Sequence, residues 1–148
     1  MRNGWTHHLP GRISSHPMDA QGGLSIDVDD ILWAFLEQYG RENAKSYTSQ
    51  LDSEVAKVLD LLAVYDAKAT FFVPGYVLEE FPGMVESIIS RGHEIGSHGY
   101  RHTFLTDLTP EQFEEDIALS AALIRRRTGL QAAGYRAPGA TLAPVAEW

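Results

Sequence analysis

Short strand-like runs that alternate with stretches of helical spacing restrict this chain's fold more than any other feature of its sequence. The runs are Leu24–Val28, Ala69–Val73, Glu94–Ser97 and Ala132–Ala137, each closed by polar or turn-forming residues. Pro74-Gly75 is read as the turn that closes the second. Between the runs, Ile31–Tyr39, Leu51–Tyr65 and Pro82–Ser90 have apolar residues at helical spacing. In the second of these helices Leu51, Val55, Val58, Leu59 and Leu62 share a face. In the third, Val85, Ile88 and Ile89 point inward, with Gly92 just beyond its end. The strongest helix signal is Thr109-Pro110-Glu111-Gln112, which sets a cap, an N1 proline and a capping-box partner in order. Phe113, Ile117, Ala121 and Ile124 then repeat on one face. Strands alternating with helices of this length predict βαβ units, hence an α/β protein with a parallel sheet or barrel. In such folds the C-terminal strand ends collect the functional side chains.

Length and composition narrow the class further. At 148 residues, 44% of them hydrophobic, the chain can bury one real core. Residues 1–22 lack periodicity and are expected to be a tail or lead-in, with 23–148 as the single domain. Twenty acidic against 12 basic residues leave a net charge of -8, which argues against a nucleic-acid partner. The basic run Arg125-Arg126-Arg127 falls in the last turn of a helix before Gly129, where cations complement the helix dipole. Without cysteine, disulfides, thiolate metal ligands and a thiol nucleophile are excluded. No apolar stretch is long enough for a transmembrane helix, so no membrane partner is expected. The first fifteen residues carry no apolar signal-peptide core, and a cytoplasmic location is the expectation.

The polar clusters sit where a parallel sheet would bring them together. Asp27 and Asp29 follow the first run, His98 and His102 the third, and Arg136 the fourth. The strand period of two places Asp27 and Asp29 on one side, while Asp30 reads as a cap for the helix beginning near Ile31. One carboxylate and two imidazoles can form a three-ligand divalent-metal site with positions left for water and substrate. The remaining carboxylate is a candidate general base. The His pair, spaced i, i+4, is expected on one side of a helical turn. His93 reads as structural. Arg136, held against Asp27, would keep that carboxylate ionised and oriented.

These segments resemble the polysaccharide deacetylase family, also called the NodB-homology domain or carbohydrate esterase family 4. The resemblance rests on Ser25-Ile26-Asp27-Val28-Asp29-Asp30, Ala69-Thr70-Phe71-Phe72-Val73, Gly92 through His102, and Gly134-Tyr135-Arg136-Ala137-Pro138. It implies a distorted (β/α) barrel of the NodB-homology type. It also implies a divalent metal, zinc in many members and cobalt or manganese in others, on Asp29, His98 and His102. Asp27 would then be the base and Arg136 the residue that positions it. The backbone N–H near Gly139 would help bind the oxyanion. The first motif is Asp-x-Asp and not the commoner adjacent pair, which resembles the branch with peptidoglycan-deacetylase-like and other C–N hydrolysing members. The family's Leu-x-His segment, which supplies the catalytic acid, is expected beyond Trp148, so the chain is read as the N-terminal, truncated portion of such a domain.

The reaction so implied is N-deacetylation of an amino-sugar polymer such as peptidoglycan or a chitin-like chain. Two alternatives keep the same residues. One is an allantoinase-like hydrolase of cyclic amides or imides. The other is an inactive remnant that binds metal or sugar without turnover.

Overall fold

Phe71 and Val73 are fully buried while Thr70 and Phe72 beside them are only half covered, so one face of their strand lies in the core and the other does not. This is the middle strand of a three-stranded parallel sheet seen in the computed structural model, which describes residues 22–30 and 48–141. The strands are β1 (Ser25–Asp27), β2 (Thr70–Val73) and β3 (Glu94–Ser97), in the spatial order β1-β2-β3. Register pairs Asp27 with Phe72 and Phe72 with Gly96. Strands that are consecutive in sequence are therefore adjacent in space, as in a barrel wall.

Among the described residues four α-helices connect and cover the sheet: α1 (Leu51–Val64), α2 (Gly75–Glu80), α3 (Pro82–Ser90) and α4 (Pro110–Thr128). Val55, Leu59 and Leu62 of α1 are buried as their spacing predicts, and Leu51 and Val58 pack against the same core. They meet Val28, Phe71, Val73 and Ile95 from the strands and Val77, Met84, Ile88 and Ile124 from the other helices. On α4 the capping box forms as expected. Gln112 N–H donates to the Thr109 hydroxyl, and the Gln112 side chain accepts from Thr109 N–H. Gly129 closes the helix in the left-handed conformation at φ 72°, with Arg125, Arg126 and Arg127 in its last turn. None of the helices among the described residues is long and apolar enough to cross a membrane.

Two expectations need correction. Pro74-Gly75 does not merely end a strand, because it begins the helix α2. The Pro74 carbonyl accepts from Val77 and Leu78 N–H, and both of those side chains are buried. The fourth run, Ala132–Ala137, forms no strand element. It makes one parallel bridge, Ser97 with Tyr135, and three backbone hydrogen bonds to β3, from Ser97 to Gly134, Ala133 to Ile95 and Arg136 to Ser97. With Pro138 lacking an N–H and Gly134 lacking a side chain to pack, little favours a longer ladder here. The helix expected over Ile31–Tyr39 and the tail before residue 22 lie outside the described residues.

His93 has the structural role expected of it. Its Nδ1 accepts the Ala69 N–H at 3.2 Å, and its ring meets the edge of Phe71 at a centroid distance of 5.3 Å. Burial, with Lys68 and Arg91 nearby, pushes the imidazole pKa down. The neutral ring's contribution is thus present above about pH 6.5, the unfolded value, and is lost as pH falls through the lower folded value. Protonation removes the acceptor, costing about 1 kcal/mol for the hydrogen bond. Urea unfolding of wild type and His93→Asn across this range checks it: the variant, whose side-chain oxygen can accept the same N–H without titrating, should lose less stability on acidification. Parallel curves would show that His93 does not titrate with folding.

Candidate metal centre

The first carboxylates reach the sheet edge because β1 keeps its alternation past its last residue. Val28 N–H still bonds to the Phe72 carbonyl at 2.9 Å, and the Val28 side chain is in the core. Asp29 therefore turns to the opposite side, with Asp27, whereas Asp30 returns to the buried side at 6% exposure. That alternation separates Asp29 from Asp30.

The second contribution comes from the end of β3. His98 N–H bonds to the Val73 carbonyl, carrying the ladder one residue beyond the strand, and the side chain is 1% exposed. The pair His98 and His102 does not sit on a helical turn, as i, i+4 spacing had suggested. The segment is a loop with left-handed residues at Gly99 (φ 76°) and His102 (φ 57°). These two reversals bring the imidazoles edge to face at 4.9 Å. A positive φ on a residue with a side chain costs on the order of 1 kcal/mol or more and persists only where the surroundings hold it.

Asp29, His98 and His102 offer ligand atoms that all lie within 4.8 Å of one another. Asp29 Oδ2 is 3.2 Å from His102 Nε2 and 3.5 Å from His98 Nε2. At 2.8 Å, His98 Nδ1 donates to the Arg136 carbonyl, which leaves Nε2 as the lone-pair nitrogen. Burial alone would raise the Asp29 carboxyl, but the hydrogen bonds from His102 and His98 outweigh it and hold the group well below the usual carboxylate range. Burial acts to lower His98, yet the Asp29 hydrogen bond and charge outweigh it and raise that imidazole. Asp29 Oδ1 is buried without a hydrogen-bond partner among the described residues. A buried carboxylate oxygen without a donor is costly, and a cation shared with two imidazole nitrogens removes the cost. The donor set of one carboxylate and two imidazoles thus fits a divalent metal.

Beside this cluster lies a second pair. Arg136 Nη1 donates to Asp27 Oδ1 at 2.6 Å, Nη2 donates to the Ser25 hydroxyl, and the guanidinium stacks 4.2 Å from the Phe72 ring centre. The Phe72 ring in turn lies across Gly96, where a Cβ would come within 2.6 Å of it. Asp27's charge is among those raising His98, so the two groups share one electrostatic site. Gly139, with φ 63°, packs against Phe104, whose ring is 6.5 Å from that of His102. It lies on the same rim, one side chain removed from the cluster.

One contributor escaped the sequence reading. Asp116 of α4 accepts the N–H of Tyr100 at 2.7 Å and of Arg101 at 3.3 Å. Its signal was a polar stripe, Asp116 and Ser120, on the inward face of a helix whose neighbours there are apolar.

This geometry has counterparts in known proteins. A model of the polysaccharide deacetylase family matches residues 45–146. The peptidoglycan deacetylase of Helicobacter pylori is 34% identical over 117 residues, which is 76% of this chain and 40% of that protein. A peptidoglycan-N-acetylglucosamine deacetylase of Bacillus cereus is 32% identical over 113 residues, 75% of this chain and 41% of that protein. The chain therefore spans less than half the length of either curated relative. A solved structure, the family 4 acetyl xylan esterase of Clostridium thermocellum in complex with a cobalt ion, is 25% identical with a TM-score of 0.60. It matches over 83% of this chain and 51% of the other. The shared architecture is the NodB-type (β/α) barrel, and the described strands form adjacent staves of its wall. By its matched segment, its sheet and its rim of acidic and histidine side chains, this chain belongs to the polysaccharide deacetylase family.

Proposed function

We propose that this chain bears the metal site and base of a hydrolase that removes N-acetyl groups from an amino-sugar polymer, with peptidoglycan as the first candidate and a chitin-like chain as the second. The observation that carries this reading is the Asp29–His98–His102 cluster beside the Asp27–Arg136 pair, all on one rim of a parallel sheet. The names of the Helicobacter and Bacillus relatives support the substrate class.

Asp29, His98 and His102 would hold a divalent ion, zinc first, with cobalt or manganese as substitutes. Once bound, such an ion supplies Lewis acidity to the acetyl carbonyl and lowers the pKa of water to about 7. The protein's own groups do the rest. Asp27 accepts the proton of the attacking water, and the 2.6 Å bond from Arg136 keeps it aimed. Phe72 and Ser25 hold the guanidinium in that pose. The Gly139 N–H is assigned to the developing oxyanion. The amide C–N bond then breaks, giving acetate, and the leaving amine takes up a proton.

Acetate release from N-acetylated chito-oligosaccharide and from peptidoglycan tests this directly. Asp27→Asn should lower turnover about 10²–10⁴-fold, the ordinary contribution of a positioned base, while leaving metal content unchanged. Equal turnover in the variant would remove Asp27 from the reaction. Hydrolysis of a cyclic imide without acetate release would replace the substrate class.

A further inference from the structure

The loop that carries His102 is pinned from both sides. Toward α2, the carbonyls of Gly99 and Tyr100 accept the N–H groups of Gly75 and Tyr76 at 2.9 and 3.2 Å. Toward α4, three successive loop amides are each received by a side-chain oxygen. Gly99 N–H donates to the Ser97 hydroxyl at 3.2 Å, and that hydroxyl is in buried contact with Ser120 at 2.8 Å. Tyr100 and Arg101 N–H both donate to the Asp116 carboxylate, one to each oxygen. That carboxylate also fills the space where a Cβ on Gly99 would stand, 2.8 Å away.

Resting on the metal-site reading above, we infer that Asp116 is a positioning residue for the metal centre: its carboxylate locks the Gly99–Arg101 backbone so that His102, in its left-handed conformation, presents Nε2 to Asp29. Asp116 accounts for a conformation that the loop's own sequence does not favour. A left-handed glycine followed three residues later by a left-handed histidine leaves consecutive amides pointing one way, and such amides need an acceptor. A carboxylate meets two of them with charge-assisted bonds. Without it, the amides would turn to water and the His102 backbone would relax toward negative φ, carrying the imidazole away from Asp29. Asp116 belongs to a different element from each of the three ligands, so α4 reports to the metal centre through this clamp, beside the Ser120–Ser97 hydroxyl contact.

The test is cobalt binding to the full chain, measured by competition with a chromophoric chelator and by visible d–d absorption. Asp116→Ala is expected to weaken affinity about 10–100-fold, the range for groups that orient ligands, and to alter the d–d band. Asp116→Asn keeps one carbonyl oxygen for an amide and should fall between the two. It also serves if the alanine variant does not fold. Thr109→Ala is the control: it removes the cap of the same helix and costs about 1 kcal/mol of stability without touching the loop. Wild-type affinity and spectrum in both Asp116 variants would overturn the inference alone. So would an equal loss in Thr109→Ala, since helix destabilisation would then account for the effect. A wild-type chain that takes up no cobalt would overturn the metal-site reading, and this inference with it.

Discussion

His98→Ala should abolish metal uptake by the purified chain, and Asp29→Asn should come close to doing so. Apparent zinc affinities of structural sites correspond to about 10–16 kcal/mol over four ligands, so one ligand carries roughly 2.5–4 kcal/mol, a loss of about 10²–10³-fold in affinity. His98 is the more telling substitution because its tautomer is already set. With Nδ1 donating to the Arg136 carbonyl, only Nε2 is available, and it faces Asp29. The alanine variant also opens space at a position only 1% exposed, so circular dichroism must show that it remains folded. Asp29→Asn avoids that complication by keeping the shape and removing the charge. Metal content by elemental analysis, with affinity by chelator competition, reads both. Undiminished uptake by the two folded variants would place any bound ion elsewhere and end the three-ligand reading.

Phe71→Ala should cost about 3–5 kcal/mol, while Phe72→Ala next to it should cost less than half as much. The two rings leave the same strand on opposite faces. Phe71 has no exposed surface and meets His93 and the helical layer, so truncation removes its transfer free energy and leaves a cavity. A loss of that size is a large share of the 5–15 kcal/mol that holds a typical domain. Phe72 is half covered and lies over Gly96 with Arg136 stacked on it. Its truncation chiefly removes a cation–π contact worth about 0.5–2 kcal/mol, and its main consequence should be a looser Arg136 and a weaker hold on Asp27. Urea unfolding of both variants measures the difference. Similar losses at the two positions would contradict the sidedness of the sheet described above.

That contrast also shows what could be read early. The run Ala69–Val73 announced a strand, but two adjacent phenylalanines carry no mark of which faces the core. The strand Glu94–Ser97 and the helix behind Thr109 were recognisable with their limits, since capping boxes and strand-breaking residues act over a few positions. The helix Gly75–Glu80 was missed because proline and glycine more often punctuate than begin a helix. The extent of Ala132–Ala137 was overread because a strand's length depends on what its partner offers, and here β3 offers one bridge and three hydrogen bonds.

The sequence by itself determined the alternation of strands and helices, the side on which Asp27 and Asp29 emerge, and the capped helix after Thr109. Each depends on neighbours within a turn or a pleat, where periodicity and local hydrogen bonding decide the outcome. Only the tertiary structure decided how the His98–His102 loop is shaped, which carboxylate holds it, and how Arg136 reaches Asp27 and Ser25 across 109 and 111 residues. Those arrangements depend on packing between elements remote in sequence. A carboxylate or guanidinium on the rim holds one pose only where such packing supplies its partner.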